Sequence, residues 1–542
     1  MHQSETPANM TAPTDAGNGR SAVRDLRIGI DVGGTNTDAV IMDQTNAVIA
    51  WTKQPTTRDV TGGMNAALSA VLEKIPGQQG RVGRVMLGTT HATNAILERR
   101  NLGRVAVVRI GAPATTAVPP LDNWPADLRR TVEADHIVIR GGHFIDGYPI
   151  APLDVDEARR FFGKVAGSID AVAITGVFSP AFPDQERAIA EIAAQELGSD
   201  AVVSMSHEIG SLGLVERENA TVLNAALYRV AREVTGALES VLQQRGLDAT
   251  PFFAQNDGTL MALEYAASYP VLTIGSGPAN SIRGAAFLSG LDNAVVADVG
   301  GTSTDLGVLT NGYPRESAVA VEIGGVRTNF RMPDILSLAI GGGTKISGTP
   351  DEPRIGPESV GYRVDTEALV FGGQTATLTD AAVAGGRTTL GTTPVDGWSA
   401  DRRALLGAAL ADVDARLDDA ADRMSLGKAD RPLVAVGGGG FLIPDRVPGV
   451  TEVLRPAHSA VANAVGAVIA LASGRWDAII PVGAGRKSAI DAACQTAITR
   501  AIEAGAEPDK VEIVEMTEIP LSYLTDPSTR IHVKAAGPLG LL

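Results

Sequence analysis

The stretch Asp31-Val32-Gly33-Gly34-Thr35-Asn36-Thr37-Asp38 returns later in the chain as Asp298-Val299-Gly300-Gly301-Thr302-Ser303-Thr304-Asp305. The two copies differ only at Asn36 and Ser303. Each copy follows a short apolar run and precedes another one, a pattern typical of two strands joined by a tight turn. An internal repeat of this kind predicts two similar domains that face each other.

The repeated turn has the composition of a phosphate-binding loop. Two adjacent glycines allow a sharp turn and bring backbone N–H groups close to phosphate oxygens. A single copy is equally typical of an ordinary hairpin turn, whereas two copies in the same context favour phosphate binding. The residues predicted to contact phosphate are Gly33, Gly34, Thr35, Asn36 and Thr37 in the first copy and Gly300, Gly301, Thr302, Ser303 and Thr304 in the second.

Asp31 and Asp298 each end an apolar run and open the repeated motif. Their carboxylates are therefore expected to point into the space between the two domains. Mg²⁺ prefers oxygen ligands and keeps several water molecules, so the two aspartates are predicted to organise Mg²⁺ through water. Asp298 is also the candidate for orienting the group that accepts a phosphoryl group.

Three further glycine clusters follow apolar runs that we interpret as strands. The first cluster follows residues 433–436 and consists of Gly437, Gly438, Gly439 and Gly440. Glycine at these positions would allow the backbone to approach an adenosine closely, or would allow a tight crossing from strand to helix. The other two clusters, after residues 271–274 and 335–340, add Gly275, Ser276, Gly277, Gly341 and Gly342 to the predicted nucleotide site. The chain has no Gly-x-x-x-x-Gly-Lys-Ser/Thr motif, which excludes a P-loop protein.

Charge and composition narrow the classes of partner and compartment. The net charge of −16 disfavours nucleic acid and anionic lipid as partners, although such a charge also simply keeps a protein in solution. The lone cysteine, Cys494, can form neither an internal disulfide nor a multi-thiolate metal site, so we expect a cytoplasmic protein. The most apolar run, residues 460–472, is too short to span a bilayer and predicts a buried helix.

The predicted fold class is α/β, with duplicated actin-like (ribonuclease H-like) ATPase domains and a small C-terminal α/β appendage. Residues 1–24 have no apolar pattern and predict a disordered tail. We expect the first lobe, with substrate-side insertions, over residues 25–200 and the second over residues 201–480. A helix and two strands predict the appendage over residues 481–542.

The motifs together resemble those of the hydantoinase/oxoprolinase family, within the actin/sugar-kinase/Hsp70 superfamily, and specifically its ATP-binding subunit of the hydantoinase A type. Besides the two repeated loops, the matching segments are Gly88-Thr89-Thr90-His91-Ala92-Thr93-Asn94-Ala95, Glu216-Arg217-Glu218-Asn219-Ala220-Thr221-Val222-Leu223-Asn224-Ala225, Ser276-Gly277-Pro278-Ala279 and Gly341-Gly342-Gly343-Thr344. They occur in the expected order across residues 26–475. The chain departs from the usual Gly-Ala-Gly-Gly-Gly-Ser at residues 339–344, which leaves the substrate open.

The resemblance implies ATP- and Mg²⁺-dependent opening of a cyclic amide such as a hydantoin, an oxoproline or a lactam. An unstrained amide is a poor electrophile, and phosphorylation of its oxygen makes it reactive toward water. The resemblance also implies an oligomer and a separately encoded second subunit that completes hydrolysis. No Ser-His-Asp, Cys-His or His-metal pattern is evident in the sequence to deliver water without such a partner.

His91 is the remaining candidate site residue, in the Thr-Thr-His-Ala-Thr-Asn turn before a predicted helix. Two interpretations of His91 are open. It contacts the substrate or the γ-phosphate, or it belongs to an ordinary polar cluster that caps the helix backbone. Two other functions use the same fold: a kinase for a sugar or hydroxy acid, and a non-enzymatic ATPase switch. The segments around His91 and Ser276 favour the cyclic-amide enzyme, and the related iron–sulfur activators need paired cysteines that this chain lacks.

Overall fold

A computed structural model describes residues 24–57, 60–210, 212–317, 320–330, 332–426, 431–483, 485–521 and 528–540. Of the predicted tail, residues 1–23 lie outside the described residues, and Arg24 forms an ion pair with Asp248. The described residues form 23 strands and 15 α-helices, which we number in chain order.

The strands are β1 (Leu26–Val32), β2 (Asn36–Met42), β3 (Val48–Pro55), β4 (Val82–Thr89), β5 (Val105–Ala112), β6 (Glu133–Arg140), β7 (Ala171–Gly176), β8 (Val202–Met205), β9 (Thr250–Ala254), β10 (Leu260–Ala262), β11 (Ala294–Val299), β12 (Thr304–Thr310), β13 (Tyr313–Pro314), β14 (Val321–Ile323), β15 (Val326–Thr328), β16 (Ile335–Leu338), β17 (Thr344–Thr349), β18 (Glu352–Ser359), β19 (Leu433–Val436), β20 (Val453–Leu454), β21 (Ala472–Pro481), β22 (Glu512–Leu521) and β23 (Ser528–Gly537).

The helices are α1 (Val60–Leu72), α2 (His91–Glu98), α3 (Ala126–Val132), α4 (Val155–Val165), α5 (Asp184–Leu197), α6 (Ser206–Ile209), α7 (Leu214–Ala226), α8 (Tyr228–Gln244), α9 (Leu263–Ser268), α10 (Ser276–Ser289), α11 (Val364–Glu367), α12 (Leu378–Ala384), α13 (Ala400–Ser425), α14 (Ala462–Ile469) and α15 (Arg486–Glu503).

The first lobe is built on a nine-stranded sheet with the order β22-β23-β21-β10-β9-β4-β1-β2-β3. β1 pairs antiparallel with β2 and parallel with β4, so that Asp31 lies opposite Asp38 on one side and Gly88 on the other. Ile28 and Ile30 of β1 are fully buried, as expected of a central strand covered on both faces.

The second lobe repeats this arrangement in a six-stranded sheet with the order β13-β12-β11-β19-β20, in which β16 also pairs with β12. β11 pairs antiparallel with β12 and parallel with β19, so that Asp298 lies opposite Asp305 and Val436. The register matches that of the first lobe residue for residue at the repeated motif. The prediction of two similar domains with duplicated actin-like topology is confirmed.

A four-stranded parallel sheet with the order β6-β5-β7-β8 lies between β4 and β9 in the chain. Helices α4 and α5 cover one of its faces, where Phe161, Phe162 and Ile189 pack against the strands. The expected boundary at residue 200 falls inside this sheet, just before β8. Because β9, β10 and β21 then return to the first-lobe sheet, the lobes are not contiguous in sequence.

The C-terminal residues contain the predicted helix and two strands, as α15, β22 and β23. β23 pairs with β21, which extends the nine-stranded sheet to its edge strand β22. Ala493, Ala497 and Ala501 of α15 are buried against these strands. The α/β appendage is thus an edge extension of the first lobe, since backbone pairing continues without a break from β10 into it.

Two helices, α10 and α14, cross at unusually short range between the lobes. A Cβ atom on Gly284 would lie 1.8 Å from the carbonyl oxygen of Ala462, and one on Gly466 would lie 1.9 Å from that of Asn280. Only glycine permits this approach. The predicted helix over residues 460–472 is confirmed as α14, although its last residue, Ala472, begins β21.

The prediction of a strand over residues 271–274 is wrong. Residues 271–273 lie in a 3-10 helix, Pro270–Thr273, and Ile274 follows it. The glycine cluster then supplies Gly275, the residue before α10, and the first turn of that helix. Pro270 has no N–H group to donate to a sheet, and Gly275 adopts a left-handed conformation with a φ of 77° as the residue before the helix. The expected strand before Gly341 is present as β16.

Candidate functional site

The two repeated loops face each other across a cleft between the lobes. Each loop is closed by one backbone hydrogen bond: Gly33 donates to the carbonyl of Asn36 at 3.0 Å, and Gly300 donates to that of Ser303 at 2.8 Å. The residues that line the cleft are Asp31, Gly33, Gly34, Thr35, Asn36, Asp38, Lys53, Thr90, Gly277, Pro278, Ser281, Asp298, Gly300, Gly301, Thr302, Ser303, Asp305, Gly437, Gly438, Ala460, Ala462 and Asn463.

The carboxylates that open the two motifs are held in equivalent ways by the crossing helices. Asn463, on α14, donates to Asp31 Oδ2 at 2.8 Å, and Ser281, on α10, donates to Asp298 Oδ2 at 2.5 Å. Asp31 Oδ1 is buried and has no hydrogen-bond partner among the described residues. The structure thus brings both predicted aspartates, Asp31 and Asp298, to one cleft, and one carboxylate oxygen of Asp31 is not used in a hydrogen bond among the described residues.

Glycine makes room for each of these carboxylates. A Cβ atom on Gly88 would lie 2.3 Å from Asp31 Oδ1, and one on Gly437 would lie 2.3 Å from Asp298 Oδ1. Gly88 is the penultimate residue of β4, the strand parallel to β1, and Gly437 follows β19, the strand parallel to β11. The parallel neighbours of β1 and β11, which are β4 and β19, are therefore part of the site.

A second carboxylate pair lies in the cleft and was not predicted as part of the site. Asp38 and Asp305 are the last residues of the two motifs, and antiparallel pairing places each beside the first residue. Lys53 Nζ lies 2.6 Å and 2.7 Å from the two carboxylate oxygens of Asp38, while Ser337 donates to Asp305 Oδ1 at 2.5 Å. The signal was present in the sequence, because both copies of the motif end in aspartate.

The cleft carries more negative charge than its lining can neutralise. Burial, reinforced by the neighbouring carboxylates of Asp38 and Asp298, raises the pKa of Asp31 to about 7. Burial also raises the pKa of Asp298, and it raises that of Asp305 to about 6. Among the described residues that line the cleft, Lys53 is the only basic one.

These residues fit Mg²⁺ bound together with phosphate. An unpartnered carboxylate oxygen on Asp31 and raised pKa values at Asp31 and Asp298 indicate groups whose ionised forms lack a counter-ion. Within the described residues, no three His, Cys, Asp or Glu side chains form a metal-binding group by themselves. The other ligands of a Mg²⁺ ion here would be phosphate oxygens and water, as that ion prefers.

Several residues predicted to contact nucleotide do not line the cleft: Thr37, Gly275, Ser276, Thr304, Gly341, Gly342, Gly439 and Gly440. Two of them are threonines whose side chains hydrogen-bond within the protein. The hydroxyl of Thr37 lies 3.1 Å from that of Thr56, and Thr304 donates to the carbonyl of Ile340 at 2.6 Å. Strand alternation is the reason, because neighbouring residues of a strand point to opposite faces.

The glycines after β16 support the second phosphate loop from outside the cleft. Gly342 and Gly343 donate to the carbonyl oxygens of Gly300 and Gly301, at 3.0 Å and 2.7 Å. A Cβ atom on Gly341 would lie 2.5 Å from the backbone nitrogen of Thr302, so a larger residue would displace the loop. These glycines therefore position the second loop, and their predicted contact with nucleotide stays a prediction.

His91 begins α2 and lines a second cavity that adjoins the cleft. We call this cavity the side chamber; it shares Gly33, Gly34 and Thr90 with the cleft. His91 Nδ1 lies 2.5 Å from the hydroxyl oxygen of Thr89, and burial lowers the pKa of His91, which favours a neutral ring.

The expected capping role for the cluster around His91 is met only in part. The Thr89 hydroxyl accepts a hydrogen bond from the His91 backbone at 3.2 Å, but Thr90 makes no side-chain cap to α2. Asn94 and Glu98, one and two turns along α2, also line the side chamber. A row of polar side chains therefore faces the chamber next to the first phosphate loop.

The fold and the cleft define a duplicated actin-like α/β protein. Within that class, the chain belongs to the hydantoinase/oxoprolinase family. Residues 27–197 match the hydantoinase/oxoprolinase N-terminal region, and residues 217–424 match the hydantoinase/oxoprolinase region that follows it. The family resemblance seen in the sequence motifs is confirmed.

Curated relatives include enzyme subunits of more than one kind. The chain is 27% identical over 393 residues to caprolactamase subunit alpha of Pseudomonas jessenii, which covers 66% of this chain and 54% of that one. It is also 27% identical over 396 residues to the acetophenone carboxylase gamma subunit of Aromatoleum aromaticum, covering 66% and 52%. The chain spans about half the length of these relatives.

Solved structures share the fold over nearly the whole chain. The ATP-dependent caprolactamase from Pseudomonas jessenii superposes with a TM-score of 0.74 at 20% identity, covering 95% of this chain and 88% of that one. The nucleotide-free acetone carboxylase superposes with a TM-score of 0.68 at 18% identity and the same coverage. Among the described residues, no helix is both long enough and apolar enough to cross a membrane.

Proposed function

We propose that this chain binds MgATP in the cleft and transfers the γ-phosphoryl group to the oxygen of a cyclic amide, such as a hydantoin, an oxoproline or a lactam. The observation that carries this proposal is the cleft itself. Two phosphate loops and their aspartates face one space, and that space opens past Gly33, Gly34 and Thr90 into a polar chamber. ATP and the amide would then meet at the first phosphate loop.

The bound Mg²⁺ would be held by Asp31 and Asp298, in part through water, and would neutralise charge on the transferring phosphoryl group. The backbone of the loops binds and orients the phosphates. Lys53, which is half-buried between Asp38 and the cleft, contributes the positive charge on the protein side. Positioning and electrostatic stabilisation of this kind supply most of the catalysis in phosphoryl transfer.

The bond changes explain why ATP is needed. The amide oxygen forms a bond to the γ-phosphorus while the bond from that phosphorus to ADP breaks. The product loses its N–H proton and becomes an imidate phosphate. Water then adds to the ring carbon and the carbon–nitrogen bond breaks, which yields a ring-opened acyl phosphate. A second water attacks the acyl carbon and releases phosphate that carries the original amide oxygen.

His91 is suited to receive the proton that leaves the amide nitrogen. Its neutral ring faces the side chamber, and its contact with Thr89 fixes the ring orientation. We expect His91→Ala to reduce amide-stimulated ADP release by about 100-fold or more with little change in ATP affinity, as for loss of one general base. His136→Ala is the matched control, because His136 lies on β6 outside both cavities.

Water addition and ring opening are proposed to need a second subunit. Two relatives carry the names of enzyme subunits, alpha in one case and gamma in the other. The cleft and the side chamber contain one histidine between them and no Ser-His-Asp or Cys-His pair among the described residues. We therefore expect the isolated chain to form ADP faster than it opens rings. Ring opening itself is proposed to need an assembly of more than one chain.

The decisive experiment uses a cyclic amide labelled with ¹⁸O at the carbonyl. ADP, ring-opened product and phosphate are followed together by mass spectrometry, with and without the proposed second subunit. We expect the label in phosphate whenever the ring opens. Ring opening that leaves all of the label in the product and consumes no ATP would contradict phosphorylation of the amide oxygen.

The carboxylase relatives supply the second candidate function, ATP-dependent activation of a ketone. A panel of cyclic amides is therefore run beside acetone and acetophenone with bicarbonate, and beside sugars and hydroxy acids. ADP release that responds to a ketone and not to any amide would assign carboxylation. A response to a hydroxyl compound alone would assign a kinase.

A further inference from the structure

The side chamber receives one residue from the second lobe, Tyr362. Every other described residue in its lining lies between residues 33 and 234. Tyr362 follows β18, whose Ile355 packs in the core of the second lobe. Tyr362 is 59% exposed, so much of its surface is free to contact a ligand in the chamber. The phosphoryl transfer proposed above gives this residue no role.

The turn that carries Tyr362 is attached to the second phosphate loop. The Ser359 hydroxyl donates to the carbonyl of Gly301 at 3.2 Å, and the backbone N–H of Gly361 donates to the Ser359 hydroxyl oxygen at 3.0 Å. A Cβ atom on Gly361 would lie 3.8 Å from the side chain of Thr302. The loop that is proposed to bind phosphate therefore also sets the position of Tyr362 at the chamber.

The first lobe supplies the polar groups of the chamber. His91, Asn94 and Glu98 are three and four residues apart along α2, so they lie on one face of the helix, and all three line the chamber. Glu233 of α8 is exposed and lines the chamber as well. An aromatic side chain together with a few polar groups is the usual composition of a small-molecule site.

The charges in the chamber disfavour an anionic ligand. Among the described lining residues, Glu98 and Glu233 are acidic, and Arg100 alone is basic. Arg100 Nη1 lies 4.0 Å from a carboxylate oxygen of Glu98, so part of its charge is already compensated. The adjoining cleft is also acidic, and bound ATP would add further negative charge. A carboxylate on a ligand would therefore meet a net negative potential, whereas an uncharged ring would not.

We propose that the side chamber selects an uncharged cyclic amide and that Tyr362 is a specificity-determining residue, whose ring lies over the bound amide. Among the proposed substrates, this selects a hydantoin or a lactam over oxoproline, because the carboxylate of oxoproline is ionised at neutral pH. The inference rests on the proposed function, which assigns the amide to the side chamber.

Two variants test the ring of Tyr362. The dissociation constant of hydantoin is measured by ligand-observed NMR on the full chain with Mg²⁺ and a non-hydrolysable ATP analogue. We expect Tyr362→Ala to raise this constant about 10-fold and Tyr362→Phe to keep it near the native value, because the aromatic ring makes the contact. The affinity for the ATP analogue should stay unchanged in both variants. Tyr148→Ala is the matched control, because Tyr148 is 71% exposed and lines neither the chamber nor the cleft.

A matched pair of ligands tests the charge. 5-Oxoproline and 5-oxoprolinamide have nearly the same shape, but only the first carries a carboxylate. We expect the amide to bind at least about 5-fold more tightly, as for one interaction between unit charges near a protein surface. Glu233→Gln should narrow this difference. Glu239→Gln should leave it unchanged, because Glu239 lies on the same helix outside the chamber.

The outcomes separate this inference from the proposed reaction. Native hydantoin affinity in Tyr362→Ala, or an equal loss in Tyr362→Phe, would overturn the role of the ring. Binding of 5-oxoproline as tight as that of its amide would overturn selection by charge, and no binding of hydantoin and 5-oxoprolinamide would overturn both parts. Because binding needs no turnover, a chain that binds hydantoin through Tyr362 but forms no ADP would support this inference and contradict the proposed phosphoryl transfer.

Discussion

Gly88→Ala tests whether β4 shapes the position of Asp31, the carboxylate proposed to organise Mg²⁺. Gly88 lies directly opposite Asp31 in the parallel pairing of β4 with β1. The added Cβ atom would lie 2.3 Å from Asp31 Oδ1 and 2.7 Å from Asn280 Nδ2. Because the backbone of Gly88 has an ordinary strand conformation, the variant tests whether a side chain fits at this position and does not test the conformational freedom of glycine.

The size of the effect follows from these distances. The contact with Asp31 is about 1 Å shorter than van der Waals contact allows, so the carboxylate must turn away. Misplacement of a reacting group by about 1 Å can lower a rate about 100-fold. The atoms that must move are side-chain ends, so we expect a loss of unfolding free energy near the low end of the ~1–3 kcal/mol typical of overpacking.

The assay follows ADP release at saturating ATP with the best cyclic amide, together with ATP affinity with and without Mg²⁺. We expect kcat to fall about 100-fold and the Mg²⁺-dependent part of ATP affinity to shrink, whereas Mg²⁺-independent affinity stays. Gly80→Ala is the matched control, because it lies just before the same strand and its added Cβ would meet no atom within 4 Å.

Two outcomes would refute the reasoning. Gly88→Ala with native kcat and native Mg²⁺ dependence would show that Asp31 does not organise the metal. Equal losses in Gly80→Ala and Gly88→Ala would show that the effect comes from general destabilisation, and thermal unfolding of both variants would identify it.

Three further predictions concern charge and the N-terminus. Asp298→Asn should bind nucleotide but lose at least about 100-fold in turnover, because it keeps shape and removes charge; ATP hydrolysis at the native rate would contradict this. Since burial raises the pKa of Asp31 from 3.8 to about 7, its protonated form stabilises the nucleotide-free chain fully below pH 3.8, and this contribution is lost as pH rises to about 7. Without Mg²⁺, we therefore expect the melting temperature of Asp31→Asn to fall less steeply with rising pH over that range than the melting temperature of the native chain. Identical slopes in the two proteins would show that Asp31 is not the cause of the fall. Deletion of residues 1–22 should leave ATP turnover unchanged, since they lack an apolar pattern able to offset the entropy of ordering; a large loss of activity would mean that the segment docks.

The sequence by itself determined the parts of the site that are built from neighbours in the chain. Each phosphate loop is closed by a hydrogen bond between residues three apart, so the Gly-Gly turn was readable from composition and repetition alone. The register of two strands joined by such a turn follows from the turn. That is why Asp31 could be placed in the cleft, and why Asp38 could have been.

Only the tertiary structure decided what surrounds those loops. Asn463 reaches Asp31 across 432 residues of sequence, and Gly88 makes room for the same carboxylate from a strand that joins β1 only in the folded sheet. The segment before α10 was wrongly predicted to be a strand. Glycine clusters such as the one after β16 look alike in sequence whether they bind a ligand or let two backbones approach. Nearest-neighbour patterns encode turns and strands, whereas contacts between distant segments depend on how sheets and helices pack, which local sequence does not specify.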